Sequence, residues 1–183
     1  MRVFYALVPP PALQRALGEL AREVARCAHG RPVPGANIHL TLAFVGAWPS
    51  ARLPLLTDIG AALAGMPTRV TLDVQGGFRG AGVAWIGPSR SPPALAALAG
   101  TLAGALAQAG VAQEERPFDP HLTLARKCRG PYMQAAVGPY EWDVDEVSLM
   151  RSDTRAEGAR YESIARWPLR AAATGPGPDG PGA

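Results

Sequence analysis

Asn37-Ile38-His39-Leu40-Thr41-Leu42-Ala43-Phe44-Val45-Gly46 contains the tetrapeptide His-Leu-Thr-Leu, and the same four residues return at His121-Leu122-Thr123-Leu124, followed by Ala125-Arg126. The chain has three histidines and eight threonines in 183 residues, so chance would place Thr two positions after two of those histidines with a probability of roughly 0.006. The matching leucines lower that figure further, and the two stretches are therefore read as one paired feature. In a strand, side chains at i and i+2 share a face. Each stretch would then present His and Thr together while its two leucines enter a core, and two such strands could aim two imidazoles at one ligand.

Outward from the motifs, the chain falls into two similar runs. Arg2 to Val8 reads as a buried strand ended by Pro9-Pro10-Pro11, and proline is tolerated at the start of the helix that should follow. Leu13, Leu17, Leu20, Val24 and Cys27 mark the apolar stripe of that helix, which stops at Gly30. The first motif strand spans Asn37 to Gly46, followed by a short helix over Pro54 to Ala64 and a strand over Arg69 to Phe78. The order then repeats. A strand at Gly82 to Ile86 leads through Pro92-Pro93 into a helix with Leu95, Leu98, Leu102 and Leu106 on one stripe, and then into the second motif strand. A helical turn is expected after Pro131, then one strand over Trp142 to Arg151 and a last one over Tyr161 to Leu169. The first strand residue precedes the motif histidine by 37 residues in one run (Arg2 to His39) and by 39 in the other (Gly82 to His121), which supports an internal duplication.

This pattern predicts an α+β fold, with a pseudo-two-fold pair of antiparallel sheets facing a central cleft and helices on the outside. Residues 1–170 would form one bilobal domain whose halves meet near residue 80. Residues 171–183 hold only Ala, Gly, Pro, Thr and one Asp, too little apolar surface to offset the cost of ordering, and read as a disordered tail.

Composition narrows the function classes. Net charge is +3, and 17 of the 18 basic residues are Arg, with Lys127 the sole lysine; guanidinium forks suit bidentate phosphate contacts. The apolar start Val3 to Val8 is too short for a signal peptide, and no run reaches membrane-spanning length, so no membrane role and a cytoplasmic location are expected. Cys27 and Cys128 make no Cys-x-x-Cys pair, and the motifs lack His-Glu-x-x-His or a nearby carboxylate cluster, so no metal and no cofactor are expected.

An imidazole with an ordinary pKa of about 6.5 can give or take a proton at neutral pH. A pair can do both at once, His39 and His121 serving as acid and base while the Thr41 and Thr123 hydroxyls donate to phosphate oxygens. Spacing alone leaves open which ring takes which role. Arg126 is a further candidate for contact with phosphate or RNA. Strict alternation, however, sets it with Leu122 and Leu124, facing away from His121, so that role requires the strand to twist or bulge. Phe44 shares that parity and reads as core. His29, at the end of the first helix, reads as a surface or capping residue. Arg31, Arg116, Lys127 and Arg129 flank the motif strands as a candidate basic rim.

The two His-x-Thr-x motifs, the start Arg2-Val3-Phe4-Tyr5-Ala6-Leu7 and the segment Arg116-Pro117-Phe118-Asp119-Pro120 before His121 together resemble the 2H phosphoesterase superfamily. Within it the chain is most similar to the bacterial RNA 2′,3′-cyclic phosphodiesterases, also called 2′-5′ RNA ligases, from Arg2 to about Leu169. The Arg160-Tyr161 pair is also similar, though no spacing argument brings it to the cleft. The resemblance implies a bilobal α+β domain and metal-free hydrolysis of a 2′,3′-cyclic phosphate at an RNA 3′ end, leaving a 2′-phosphate. It implies His39 as proton donor, His121 as proton acceptor, and Thr41 and Thr123 as phosphate holders. The implied partner is RNA with a cyclic phosphate end, or a small cyclic nucleotide; a monomer is expected. The competing readings are 2′-5′ joining by the reverse reaction and a non-catalytic RNA-binding module.

Overall fold

A computed structural model describes residues 1–63, 65–113, 117–130, 134–155 and 158–170. The expected tail at 171–183, the turn after Pro131 and Arg116 lie outside the described residues. The elements run β1 (Arg2–Leu7), α1 (Pro11–Cys27), β2 (Arg31–Pro32), β3 (Leu40–Ala47), α2 (Leu53–Ala61), β4 (Thr68–Phe78), β5 (Val83–Gly87), α3 (Pro93–Gln108), β6 (Leu122–Arg126), β7 (Ala135–Val144), β8 (Glu146–Arg155) and β9 (Gly158–Pro168), with a 3₁₀ turn at Gly35–Asn37 before β3.

Every strand pairing is antiparallel, in the order β7-β4-β5-β6-β3-β1-β8-β9, with β2 added on β6. The order reads alike from both ends. The motif strands β6 and β3 lie at the centre, each flanked by the strand that opens its run (β5 or β1), and each arm ends in two further strands. The arms join through a single residue pair, Leu40 with Leu122. The chain interleaves its two runs. β4, from the first, pairs with β5 of the second, whereas β8 and β9 return to extend β1. The helices cross in the same sense, α1 lying against β6 and α3 against β3.

Burial explains why these segments take these forms. The apolar stripe of α1 (Leu13, Leu17, Leu20) and that of α3 (Leu95, Leu98, Leu102, Leu106) enter one core with Tyr5 and Leu7 of β1 and the motif leucines Leu40, Leu42, Leu122 and Leu124. Proline opens both helices at their first turn, where the missing N–H costs nothing.

Two expectations need correction. The single strand expected over Trp142 to Arg151 is two strands that break at Asp145. The apolar alternation slips by one residue there, from Trp142 and Val144 to Val147 and Leu149 with Asp145-Glu146 between, a local sign of the break that a single strand does not accommodate. One intervening residue spans less than about 8 Å, so β7, at one end of the strand order, must end next to the start of β8 in the other arm, and the sheet curls around its core. The first motif strand begins at Leu40 rather than Asn37, because Gly35–Asn37 turns as a 3₁₀ helix. Both histidines thus stand immediately before their strands, not within them.

Candidate active site

The motif strands share one burial pattern. Over Leu40–Phe44 and over Leu122–Arg126 the residues are in turn buried, half-buried, buried, buried and exposed. Strict alternation would expose the fourth residue, not the fifth, and the register accounts for the difference. In β3, Tyr5 pairs with Ala43 and Ala6 with Thr41, skipping Leu42; in β6, Ala84 pairs with Ala125 and Trp85 with Thr123, skipping Leu124. Each motif strand therefore bulges at the third residue after its histidine. A bulge of one residue reverses the parity beyond it.

Arg126 accordingly turns to the face that bears His121 and Thr123, as its candidate role requires. Phe44, expected in the core, is 58% exposed, with its ring 6.1 Å from that of Phe4. The duplicated bulge presents an arginine in one strand and a bare aromatic ring in the other.

The Leu40–Leu122 pair fixes how the motifs meet. Antiparallel register sets His39 across from Thr123 and Thr41 across from His121. Each imidazole therefore faces the threonine of the other motif. Counting the bulge, Arg126 lies two strand steps, about 7 Å, beyond Thr123, and Phe44 the same distance beyond Thr41. The site is thus a row with Arg126 at one end, the two His/Thr pairs in the middle and Phe44 at the other end.

At the Arg126 end, Val33, Asn37, His39, Thr123, Arg126 and Tyr161 line a small cleft. His121 and Thr41 do not line it. His121 is nevertheless near enough that its charge acts on His39.

Both rings are held in the same way. His39 Nδ1 lies 2.7 Å from the Asn37 carbonyl oxygen, and His121 Nδ1 lies 2.8 Å from that of Asp119. A carbonyl only accepts, so each Nδ1 carries the hydrogen and donates it, leaving Nε2 to exchange protons. Asn37 Nδ2 in turn donates to the Ala159 carbonyl at 2.8 Å, tying the turn before β3 to β9.

The surroundings of the two rings differ. His39 sits between Phe4, at 4.8 Å between ring centres, and the edge-on ring of Tyr161, at 4.9 Å. His121 meets Phe78 edge-on at 5.0 Å, with Trp85 at 6.5 Å. Burial among aromatics disfavours the imidazolium and pushes the His39 pKa down to about 4; the charges of Arg126 and His121 act in the same direction, against the Asn37 hydrogen bond. These surroundings favour the neutral His39 ring at neutral pH.

Sequence reasoning did not single out Asn37, Val33, Phe4, Phe78 or Trp85 as site residues, and it left Tyr161 without a route to the cleft. Asn37 and Val33 stand just before the first motif, a local signal that was available. Tyr161 arrives on β9 through the interleaving of the chain, for which local sequence gives no sign. His29, at the end of α1, is exposed and outside the site.

A family model described as the 2′-5′ RNA ligase superfamily matches residues 9–156. The chain belongs to that superfamily, the 2H phosphoesterases that its paired motifs resemble. Among its relatives, an RNA 2′,3′-cyclic phosphodiesterase of Thermus thermophilus is 32% identical over 180 residues, covering 93% of this chain and 91% of that protein. An RNA 2′,3′-cyclic phosphodiesterase of Escherichia coli is 30% identical over 170 residues, covering 92% and 96%. The crystal structure of E. coli LigT complexed with 3′-AMP superposes with a TM-score of 0.85 at 30% identity, covering 92% of this chain and 97% of that one. Among the described residues no helix is long and apolar enough to cross a membrane.

Proposed function

We propose that this protein hydrolyses 2′,3′-cyclic phosphates at RNA ends to 2′-phosphomonoesters, using His39 and His121 as a general acid–base pair. The matched Nδ1-to-carbonyl bonds carry the reading: they give both rings the same tautomer and leave both Nε2 atoms available to a substrate between them. His121 takes a proton from water as the water oxygen bonds to phosphorus. The bond from phosphorus to O3′ breaks on the opposite side, and His39 gives its proton to the departing O3′. Thr123 and Thr41 hydroxyls donate to the non-bridging oxygens, and the Arg126 guanidinium offsets their growing charge. The product carries a 2′-phosphate and a free 3′-hydroxyl, and the pair resets by proton exchange with solvent.

His39 must be charged to act as the acid, and its surroundings favour the neutral ring. A phosphate anion beside it offsets the Arg126 charge and favours the imidazolium, so substrate and proton arrive together. Burial that makes this imidazolium scarce also makes it a strong donor once formed.

The exposed Phe44 ring, at the far end of the row, offers a face on which a base can stack. The likeness to named RNA 2′,3′-cyclic phosphodiesterases over nine-tenths of the chain supports the same substrate class. Joining of 2′-5′ ends would reverse these steps with the histidines exchanging roles, and water at its normal concentration drives the reaction toward hydrolysis.

The test is an oligonucleotide ending in a 2′,3′-cyclic phosphate, incubated with the protein in chelator, with the product identified. A 2′-phosphate is expected, and His39→Ala and His121→Ala should each lower the rate by about 10² to 10⁴. A 3′-phosphate product, a requirement for added metal, or full activity in either variant would overturn the proposal.

A further inference from the structure

We infer that Arg31, held beside Arg126, binds a second phosphate, one nucleotide upstream of the reacting end, which makes an oligonucleotide end a better substrate than a mononucleoside cyclic phosphate. The inference rests on the reading of the cleft as an RNA-end site and adds to it which part of the strand is gripped.

Two register arguments place Arg31 on the cleft face. Short strand β2 pairs with β6 so that Arg31 is the direct cross-strand partner of Arg126, and partners of this kind point to the same side of a sheet. Arg31 also precedes Val33 by two residues in an extended segment whose Val33 N–H donates to the Leu124 carbonyl at 2.8 Å, and Val33 lines the cleft. Both arginines are exposed to solvent. They extend the row past its last His/Thr pair: Arg31 beside Arg126, then His39 across from Thr123, then His121 across from Thr41, then Phe44.

Charge gives this corner its preference. Like charges directly opposite one another across two strands repel, so the Arg31–Arg126 pair is held together at a cost that a bound anion would remove. Lys127 follows Arg126 in a left-handed backbone conformation, at φ 55°, and Arg129 N–H donates to the Ala28 carbonyl at 2.9 Å, which fastens this basic loop to the end of α1. The corner is therefore fixed in place and cationic. Arg126 is about 7 Å of strand beyond Thr123, so one guanidinium can reach the reacting phosphate while its neighbour holds the next. The planar Arg31 fork suits the oxygens of a phosphodiester. RNA supplies such a group only when a second nucleotide is attached.

The test compares a mononucleoside with a dinucleotide of the same 3′ base, in two forms. As 2′,3′-cyclic phosphates they report hydrolysis, and as 2′-phosphates they report equilibrium binding. For the unaltered protein we expect the dinucleotide to gain about tenfold in both kcat/KM and Kd, a gain that shrinks as salt rises. In Arg31→Gln the ratio of dinucleotide to mononucleotide should fall toward one in both measurements, and Arg31→Lys, which keeps the charge without the fork, should lie between. No dinucleotide gain in the unaltered protein, or a gain that survives in Arg31→Gln, would overturn the inference. An equal loss on both substrates would also overturn it, since Arg31 would then serve the reacting phosphate or the fold. A protein that hydrolyses neither substrate yet shows the binding gain and its loss in Arg31→Gln would refute the proposed reaction and uphold the phosphate site.

Discussion

Holding His39 neutral has a stability consequence that can be measured apart from catalysis. In the unfolded chain its imidazole titrates near its ordinary value of about 6.5, whereas burial beside Phe4 and Tyr161 lowers the folded value to about 4. The neutral ring is the form the fold favours. Its contribution is therefore fully present above pH 6.5 and is lost as pH falls toward 4, because over that range the unfolded chain binds the proton more readily than the native one. Linkage between those two values amounts to about 3 kcal/mol in all, of which about 2 kcal/mol is lost by pH 5. His39→Gln fills similar space and does not titrate. Urea unfolding of both proteins at pH 7 and pH 5, at fixed ionic strength in a phosphate-free buffer, gives a double difference from which groups common to both cancel. We expect the unaltered protein to lose about 2 kcal/mol more than the variant between these pH values. Inorganic phosphate should shrink that difference by stabilising the charged ring. A double difference below about 0.5 kcal/mol, or one of opposite sign, would show that the fold does not disfavour the imidazolium and would remove the basis for coupling its proton to the substrate.

Two further predictions address the neighbours of the two rings. Arg126→Gln removes one of the charges that lower the His39 pKa, so the midpoint of its ring resonances in an NMR pH titration should move up from about 4 toward neutrality; an unchanged or lower midpoint would place Arg126 away from the ring. Gly76 pairs with Trp85 across β4 and β5, and a Cβ there would stand 2.5 Å from the indole, so Gly76→Ala must shift the ring that lies beside His121. It should destabilise the protein by about 1–3 kcal/mol in urea and alter its Trp fluorescence, and unchanged values for both would refute the packing described.

The parts of this protein most visible in its sequence are those set by local period. Leucine spacing marks α1 and α3, and the leucines of each motif enter the core as their alternation requires. The repeated His-x-Thr is legible because strand parity alone puts the two side chains on one face. Parity fails two residues beyond each threonine. Nothing in Thr-Leu-Ala-Phe or Thr-Leu-Ala-Arg signals that a residue will be left out of register, so Phe44 was expected inside and Arg126 turned away. Contacts fixed by chain crossing are harder still to read. Asn37 and Ala159, or Phe4 and Tyr161, are far apart in sequence and meet only because β8 and β9 return to extend β1. At Asp145, the break that permits that return, the apolar alternation does slip by one residue, from Trp142 and Val144 to Val147 and Leu149, but the slip does not say which strand β8 will join.

The crossing of helices and strands also bears on how such a chain could have arisen. α1 lies against the motif strand of the second run and α3 against that of the first, while β4 completes the arm opened by β5. One run by itself would have its helix over no strand of its own motif and β4 without its neighbour. A single-copy ancestor of this architecture would therefore have been an exchanged homodimer, with two identical histidines related by a true axis through the Leu40–Leu122 contact. Within one chain the two copies are free to differ, and the residue two places after each Leu-Thr-Leu is Arg in one and Phe in the other.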